Sequence, residues 1–173
     1  SGEVAYPIQF IISPANKNMK AGLNLASITS RYRVMKKAER KQTTAITQRI
    51  SLYSGSQQFY GFQALHPVFD KNELEQDVLT AYVLGNYDIS ALIEDIFSVD
   101  EQLINIALFD ANTPSQQLLY SSSEQFASVD DVRFQQKQEQ SWVYALNVAD
   151  AQWIMVVFPD KKVLLNTTSW LPY

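Results

Sequence analysis

The stretch Phe59 to Phe97, FYGFQALHPVFDKNELEQDVLTAYVLGNYDISALIEDIF, narrows the folds open to this chain more than any other segment. Two runs rich in aromatic and β-branched residues fall in it, Gln58–Phe69 (all but its first residue) and Val78–Asp88, separated by a polar loop at Asp70–Glu75. Both runs predict strands. Pro67 cannot donate a ladder hydrogen bond, so it predicts a kink or an edge. Gly85 predicts a bulge or a close approach of neighbouring groups. The period then changes. Ser90 is a candidate N-cap for a helix from Ala91 to Phe97, with Leu92, Ile93 and Ile96 as its apolar face.

The flanking segments extend the pattern. Tyr6–Ile12 is predicted as a strand and Ser13–Asn16 as a turn. Ser27 is a candidate cap for a helix over Ile28–Lys41, whose apolar stripe is Ile28, Tyr32, Met35 and Ala38. Its basic residues, from Arg31 to Arg40, are expected on a solvated outer face. Thr43–Tyr53 alternates and reads as one strand, with a hairpin turn at Ser54-Gly55-Ser56. The second half offers strands at Ile104–Asp110 and Leu118–Ser121, with a turn at Asp110–Pro114. A polar stretch at Ser122–Gln140 follows, then paired strands at Ser141–Val148 and Gln152–Phe158. The predicted fold class is α+β, with two lobes, residues 1–88 and 89–173, each an antiparallel sheet flanked by helices.

The chemistry available is limited. The chain has 173 residues, net charge -4 and no Cys, which removes disulfides, thiolate zinc sites and thiol catalysis. The acidic balance argues against a nucleic-acid surface. The single His, His66, lies in an apolar strand and has no second imidazole for a relay or a metal pair. The five Gly are scattered, so no phosphate loop forms. The longest apolar run, Trp153–Phe158, is far short of the ~20 residues that span a bilayer. The abrupt start at Ser1-Gly2-Glu3-Val4 reads as the edge of a piece taken from a longer protein. No cofactor or metal is expected. A hydrolase would need distant carboxylates brought together by folding.

Four segments in order resemble the CHASE domain, an extracytoplasmic sensory domain of receptor histidine kinases and cyclases. They are Tyr6-Pro7 to Ser13-Pro14 and Asn18 with Gly22–Ser27; Arg31–Lys41 with Thr44–Thr47; Gly61–Phe69; and Leu84–Ile89 with Leu92-Ile93. The resemblance implies two PAS-like lobes, the first membrane-distal and ligand-binding, the second membrane-proximal. It also implies transmembrane helices on either side in the full-length protein and a periplasmic position. The output would be a histidine kinase, diguanylate cyclase or phosphodiesterase, with a homodimer possible.

The ligand-binding residues it implies start from Asn24, which stands where cytokinin-binding members have an Asp that contacts an adenine-type ring. An amide both donates and accepts, whereas a carboxylate only accepts, so a different small polar or amphipathic ligand is expected. The other reading of Asn24 is a turn or cap amide. Ile46 and Leu65 match pocket-wall positions. Strand alternation then adds Gln48 beside Ile46 and Gln63 beside Leu65, and groups Tyr82, Leu84 and Asn86 on one face. The competing reading is a protein-interaction or dimerisation module using the 122–140 region or an exposed strand edge.

Overall fold

The computed structural model describes residues 5–12, 21–54, 56–97, 104–113 and 116–159. The expected turns at Ser13–Asn16, Gly55 and Pro114, the Asn18 match and the exit from Asp160 to Tyr173 lie outside these. The chain divides into two compact units, Ser1–Asp88 and Ile89–Tyr173.

In the first unit, Leu25–Ser27 forms a 3-10 turn followed by α1 (Thr29–Lys41), β1 (Ala45–Ile46), β2 (Ile50–Ser54), β3 (Gln57–Lys71) and β4 (Asp77–Asp88). β3 is the spine of an antiparallel sheet, pairing with β1, β2 and β4. Its bulge lies at Val68/Phe69, where the register with β4 slips past Thr80. Gly85 keeps regular pairing with Ala64. Its missing side chain makes room for the Tyr87 ring, 2.7 Å from where a Cβ would sit. Beyond Leu65, β3 pairs among the described residues with β4 alone, so the absent N–H of Pro67 interrupts no second described ladder.

Three expectations are corrected here. Tyr6–Ile12 does not form a strand: among the described residues it makes a Pro7–Asn24 bridge, extended by the Leu25 N–H donating to the Tyr6 carbonyl (2.9 Å), the Ile8 N–H to the Leu23 carbonyl (3.0 Å) and the Gly22 N–H to the Ile8 carbonyl (2.8 Å). Among the described residues this pairing ends at Ile8, and Phe10 and Ile12 are 88% and 99% exposed. Ser27 does not cap α1; it closes the 3-10 turn, and Ile28 takes the N-cap position with no side-chain cap bond. Thr43–Tyr53 is two strands, because the backbone leaves the sheet at Thr47–Arg49. The C-terminus of α1 follows rule: Gln42 adopts the left-handed conformation (φ 52°) and its N–H returns to the last-turn carbonyls, beside Arg40 and Lys41.

The core of this unit is Leu25, Met35 and Leu65, with Tyr6, Ile8, Val34, Tyr82 and Leu84 packed around it. α1 presents Met35 and Ala38, both fully buried, to the sheet. Ile28 and Tyr32, the predicted stripe's first two members, stay about half exposed.

In the second unit, α2 (Ile89–Ile96) begins directly after β4, so Ser90 lies inside its first turn and is not the cap. β5 (Ile104–Asp110), β6 (Leu118–Ser121), β7 (Trp142–Val148) and β8 (Ala151–Pro159) form an antiparallel sheet ordered β6-β5-β8-β7. α3 (Val129–Gln138) arises within the polar stretch. Ser128 accepts the Asp131 N–H while the Asp131 carboxylate accepts the Ser128 N–H, a capping box that defines its start. Val132 is its buried anchor, against Ala107, Phe109, Phe126, Val156 and Phe158. The fold is therefore mixed α+β, with two antiparallel sheets and flanking helices.

Candidate functional site

Register sorts the candidate residues between the two faces of the first sheet. Gln63 lies opposite Asn86, Leu65 opposite Leu84 and Pro67 opposite Tyr82, so Gln63, Leu65, Tyr82, Leu84 and Asn86 share one face. This is the face toward α1, because Leu65, Tyr82 and Leu84 pack with Met35. Ala45, not Ile46, joins them: Ala45 pairs with Leu65, while Ile46 pairs with Ala64 and points to the opposite face. A one-residue difference in register reverses a strand residue's face, which removes Ile46 from this group. Gln48 does not share Ile46's face either. It is exposed in the link between β1 and β2, where alternation no longer applies.

Asn24 stands apart from the sheet residues. Its Oδ1 accepts the backbone N–H groups of Tyr6 (2.9 Å) and Ala26 (3.0 Å). The amide therefore caps the 3-10 turn and ties the N-terminal segment to it. Its Oδ1 is occupied by these two donors, in keeping with the cap reading.

Two polar clusters interrupt the apolar inner face. The first centres on Gln63, only 6% exposed. Its backbone N–H donates to Thr47 Oγ1 (3.0 Å) and its carbonyl accepts the Thr47 N–H (2.9 Å). Its side-chain Oε1 accepts from Arg31 Nε (2.8 Å), and its Nε2 donates to Asn86 Oδ1 (2.8 Å). Gln63 thus reads as the centre of an Arg31–Gln63–Asn86 chain. Burial pulls the Arg31 guanidinium below its ordinary pKa. The second cluster centres on Tyr82, whose hydroxyl lies 3.2 Å from both the Met35 carbonyl and Glu39 Oε2. Glu39 Oε2 also accepts from Lys36 at 2.8 Å. Burial first, and the Glu39 carboxylate second, push the Tyr82 phenol well above its usual range. The Tyr6 ring meets the Tyr82 ring edge-on at 5.4 Å.

Arg31 is the functional candidate that sequence reasoning placed on the wrong side of α1. The basic run Arg31–Arg40 was expected on a solvated face, yet Arg31 precedes Met35 by four residues and Ala38 by seven. That spacing puts it on the buried face. The signal was the i, i+4, i+7 register to the two residues that anchor the helix.

His66 is exposed, with Nδ1 2.9 Å from Thr44 Oγ1. Among the described residues no group of three His, Asp or Glu side chains stands close enough to hold a metal ion. Among the same residues no helix is long and apolar enough to cross a membrane.

The family model of the CHASE domain matches residues 2–120, which takes in all but the first residue of the first unit and the start of the second. The chain belongs to the CHASE domain family. Among solved structures, the periplasmic sensory domain of the Campylobacter jejuni chemoreceptor Tlp1 superposes with a TM-score of 0.55 at 14% identity, over 89% of this chain and 62% of that one. A second, described as methyl-accepting chemotaxis protein X, gives a TM-score of 0.44 at 13% identity, over 83% and 61%. The CHASE chain thus spans less than two-thirds of either. No curated protein matches. The Tlp1 likeness supports a PAS-like fold, and family membership makes the chain an extracytoplasmic sensor domain.

Proposed function

We propose that this CHASE domain is the small-molecule sensor of a transmembrane signalling receptor, with the ligand taken between α1 and the inner face of the first sheet. The observation that carries the reading is the Arg31–Gln63–Asn86 chain, which links α1 to the sheet among Leu65 and Leu84 of the sheet and Met35 of α1. A few directed polar groups in an apolar wall are the usual make-up of a ligand site. Gln63, Leu65, Tyr82, Leu84 and Asn86 are its proposed lining. Asn24 acts on it indirectly, by fixing the turn that precedes α1.

In this reading the first lobe is membrane-distal and the second membrane-proximal, with a histidine kinase, diguanylate cyclase or phosphodiesterase as output. Ligand binding favours one arrangement of the lobe, and the transmitted signal cannot exceed the ligand's differential affinity for the two arrangements. The experiment is a thermal-shift screen of a metabolite panel against the wild type and Gln63→Leu. A compound that stabilises the wild type and loses that effect in Gln63→Leu supports the reading. Equal stabilisation of both proteins refutes it.

One observation favours a second reading, a dimerisation surface. β7 pairs with β8 on one side and, among the described residues, with no strand on the other. Trp142, Val143 and Tyr144 are all exposed on it. Such an edge suits strand addition. Sedimentation of the wild type and Val143→Lys distinguishes this reading, since loss of a dimer in the variant supports it.

A further inference from the structure

The guanidinium of Arg31 is incompletely matched. Nε is bonded to Gln63, but Nη1 is sealed from solvent and, among the described residues, has no hydrogen-bond partner. No carboxylate among the described residues forms an ion pair with Arg31. Its place in α1 adds to the mismatch. Arg31 lies in the helix's first turn, which contains no acidic residue, so a positive charge sits at the positive end of the macrodipole. A buried donor without an acceptor is costly, and more so on a charged group. Gln63 offers only an amide oxygen, and its own amide nitrogen is turned to Asn86. The amide thus orients the guanidinium without neutralising it.

We infer that the ligand of the first lobe carries an anionic oxygen group, a carboxylate or a phosphate monoester, which pairs with Arg31 Nη1 while Gln63 holds the guanidinium in place. The inference rests on the reading that this lobe binds a small molecule, and it supplies the ligand's chemical class. Both anion types offer the acceptor geometry that a guanidinium matches best. Because Nη1 is sealed, the anion reaches it only when the lobe opens. Binding is then coupled to movement of the first turn of α1, a link between recognition and signal.

The test uses the two-lobed chain and defined probes. Acetate and succinate form the carboxylate arm, and inorganic phosphate and methyl phosphate the phosphate arm. Sodium chloride at matched ionic strength, acetamide and methylammonium are controls. The readouts are the melting temperature and the Arg31 Nε–H resonance in a 15N spectrum. The expected result is stabilisation by one anion arm, with a shift of the Arg31 resonance. Arg31→Gln should weaken that binding by roughly 10- to 150-fold, the loss of one charged hydrogen-bond partner. Arg31→Lys should recover part of it. The arm that responds identifies the anion. If no anion acts beyond chloride, or if Arg31→Gln responds like the wild type, the inference is overturned. The two readings part here: neutral or cationic metabolites that stabilise the wild type but not Gln63→Leu would keep the pocket and discard the anion, whereas metabolites that stabilise both proteins equally would discard the pocket itself.

Discussion

Replacing Gln63 by Leu tests whether the Arg31–Gln63–Asn86 chain holds the first lobe together. The side chain is nearly the same size and is buried, so packing changes little. Two hydrogen bonds disappear. The bond from the charged Arg31 Nε is the larger, worth about 1.5–3 kcal/mol. Asn86 is exposed, so water replaces its lost donor at a cost of about 0–1 kcal/mol. Burying Leu instead of an amide returns roughly 1 kcal/mol. The expected net loss is about 1–2 kcal/mol. For a unit of this size that lowers the melting temperature by about 4–8 °C per kcal/mol. Thermal and urea unfolding, followed by a probe in the first unit, measure it. The companion variant Arg31→Met/Gln63→Leu decides the mechanism. With both partners apolar, no buried charge is left unmatched, so the double variant should unfold above Gln63→Leu. The reasoning is refuted if Gln63→Leu matches or exceeds the wild type, or if the double variant simply adds a second loss.

Three further outcomes follow from local geometry. Gly61→Ala places a Cβ against the Tyr87 carbonyl and 2.5 Å from Leu52 Cδ1, so β3 and β4 must separate; the cost should reach the upper end of about 1–3 kcal/mol, read by urea unfolding. Ser128→Ala breaks the capping box of α3 and should cost about 1 kcal/mol, seen as faster hydrogen exchange across Val129–Gln138 while the first unit is unchanged. The folded-state phenol of Tyr82 titrates above its ordinary value of 10.0, so its contribution is complete below that pH and is lost as pH rises past it, where the unfolded phenol ionises first. Tyr82→Phe should therefore flatten the alkaline end of the stability profile, measured as melting temperature from pH 8 upward.

The parts of the fold legible in the chain are those whose cause is local. β3, β4, β5 and β8 could be read because dense aromatic and β-branched residues need a sheet wherever they fall. α1 was legible from its spacing, although the centre of its buried face was not. α3 went unread because only Val132 among its residues is fully buried, so periodicity is faint. The signal it does carry is the capping pair Ser128 and Asp131. The strand read over Tyr6–Ile12 failed for the opposite reason: an apolar run forms a strand only when a partner is available along its length.

The candidate site divides along the same line. Family membership follows from the sequence itself, as do the two groups Gln63 with Leu65 and Tyr82 with Leu84 and Asn86, since alternation within a strand is a property of the backbone; that both groups share one face is set by the β3–β4 register. Which wall faces α1 does not follow from the sequence either. Pairing Ala45 rather than Ile46 with Leu65 is a choice of register between strands some twenty residues apart. Arg31 is likewise a charged residue in a basic run until the helix docks on Met35 and Ala38. Docking is driven by the apolar anchors, and it carries Arg31 Nη1 out of reach of solvent with them. Local spacing thus determined which residues could meet. Tertiary packing alone decided that a charge would be buried beside an amide, with one donor left over.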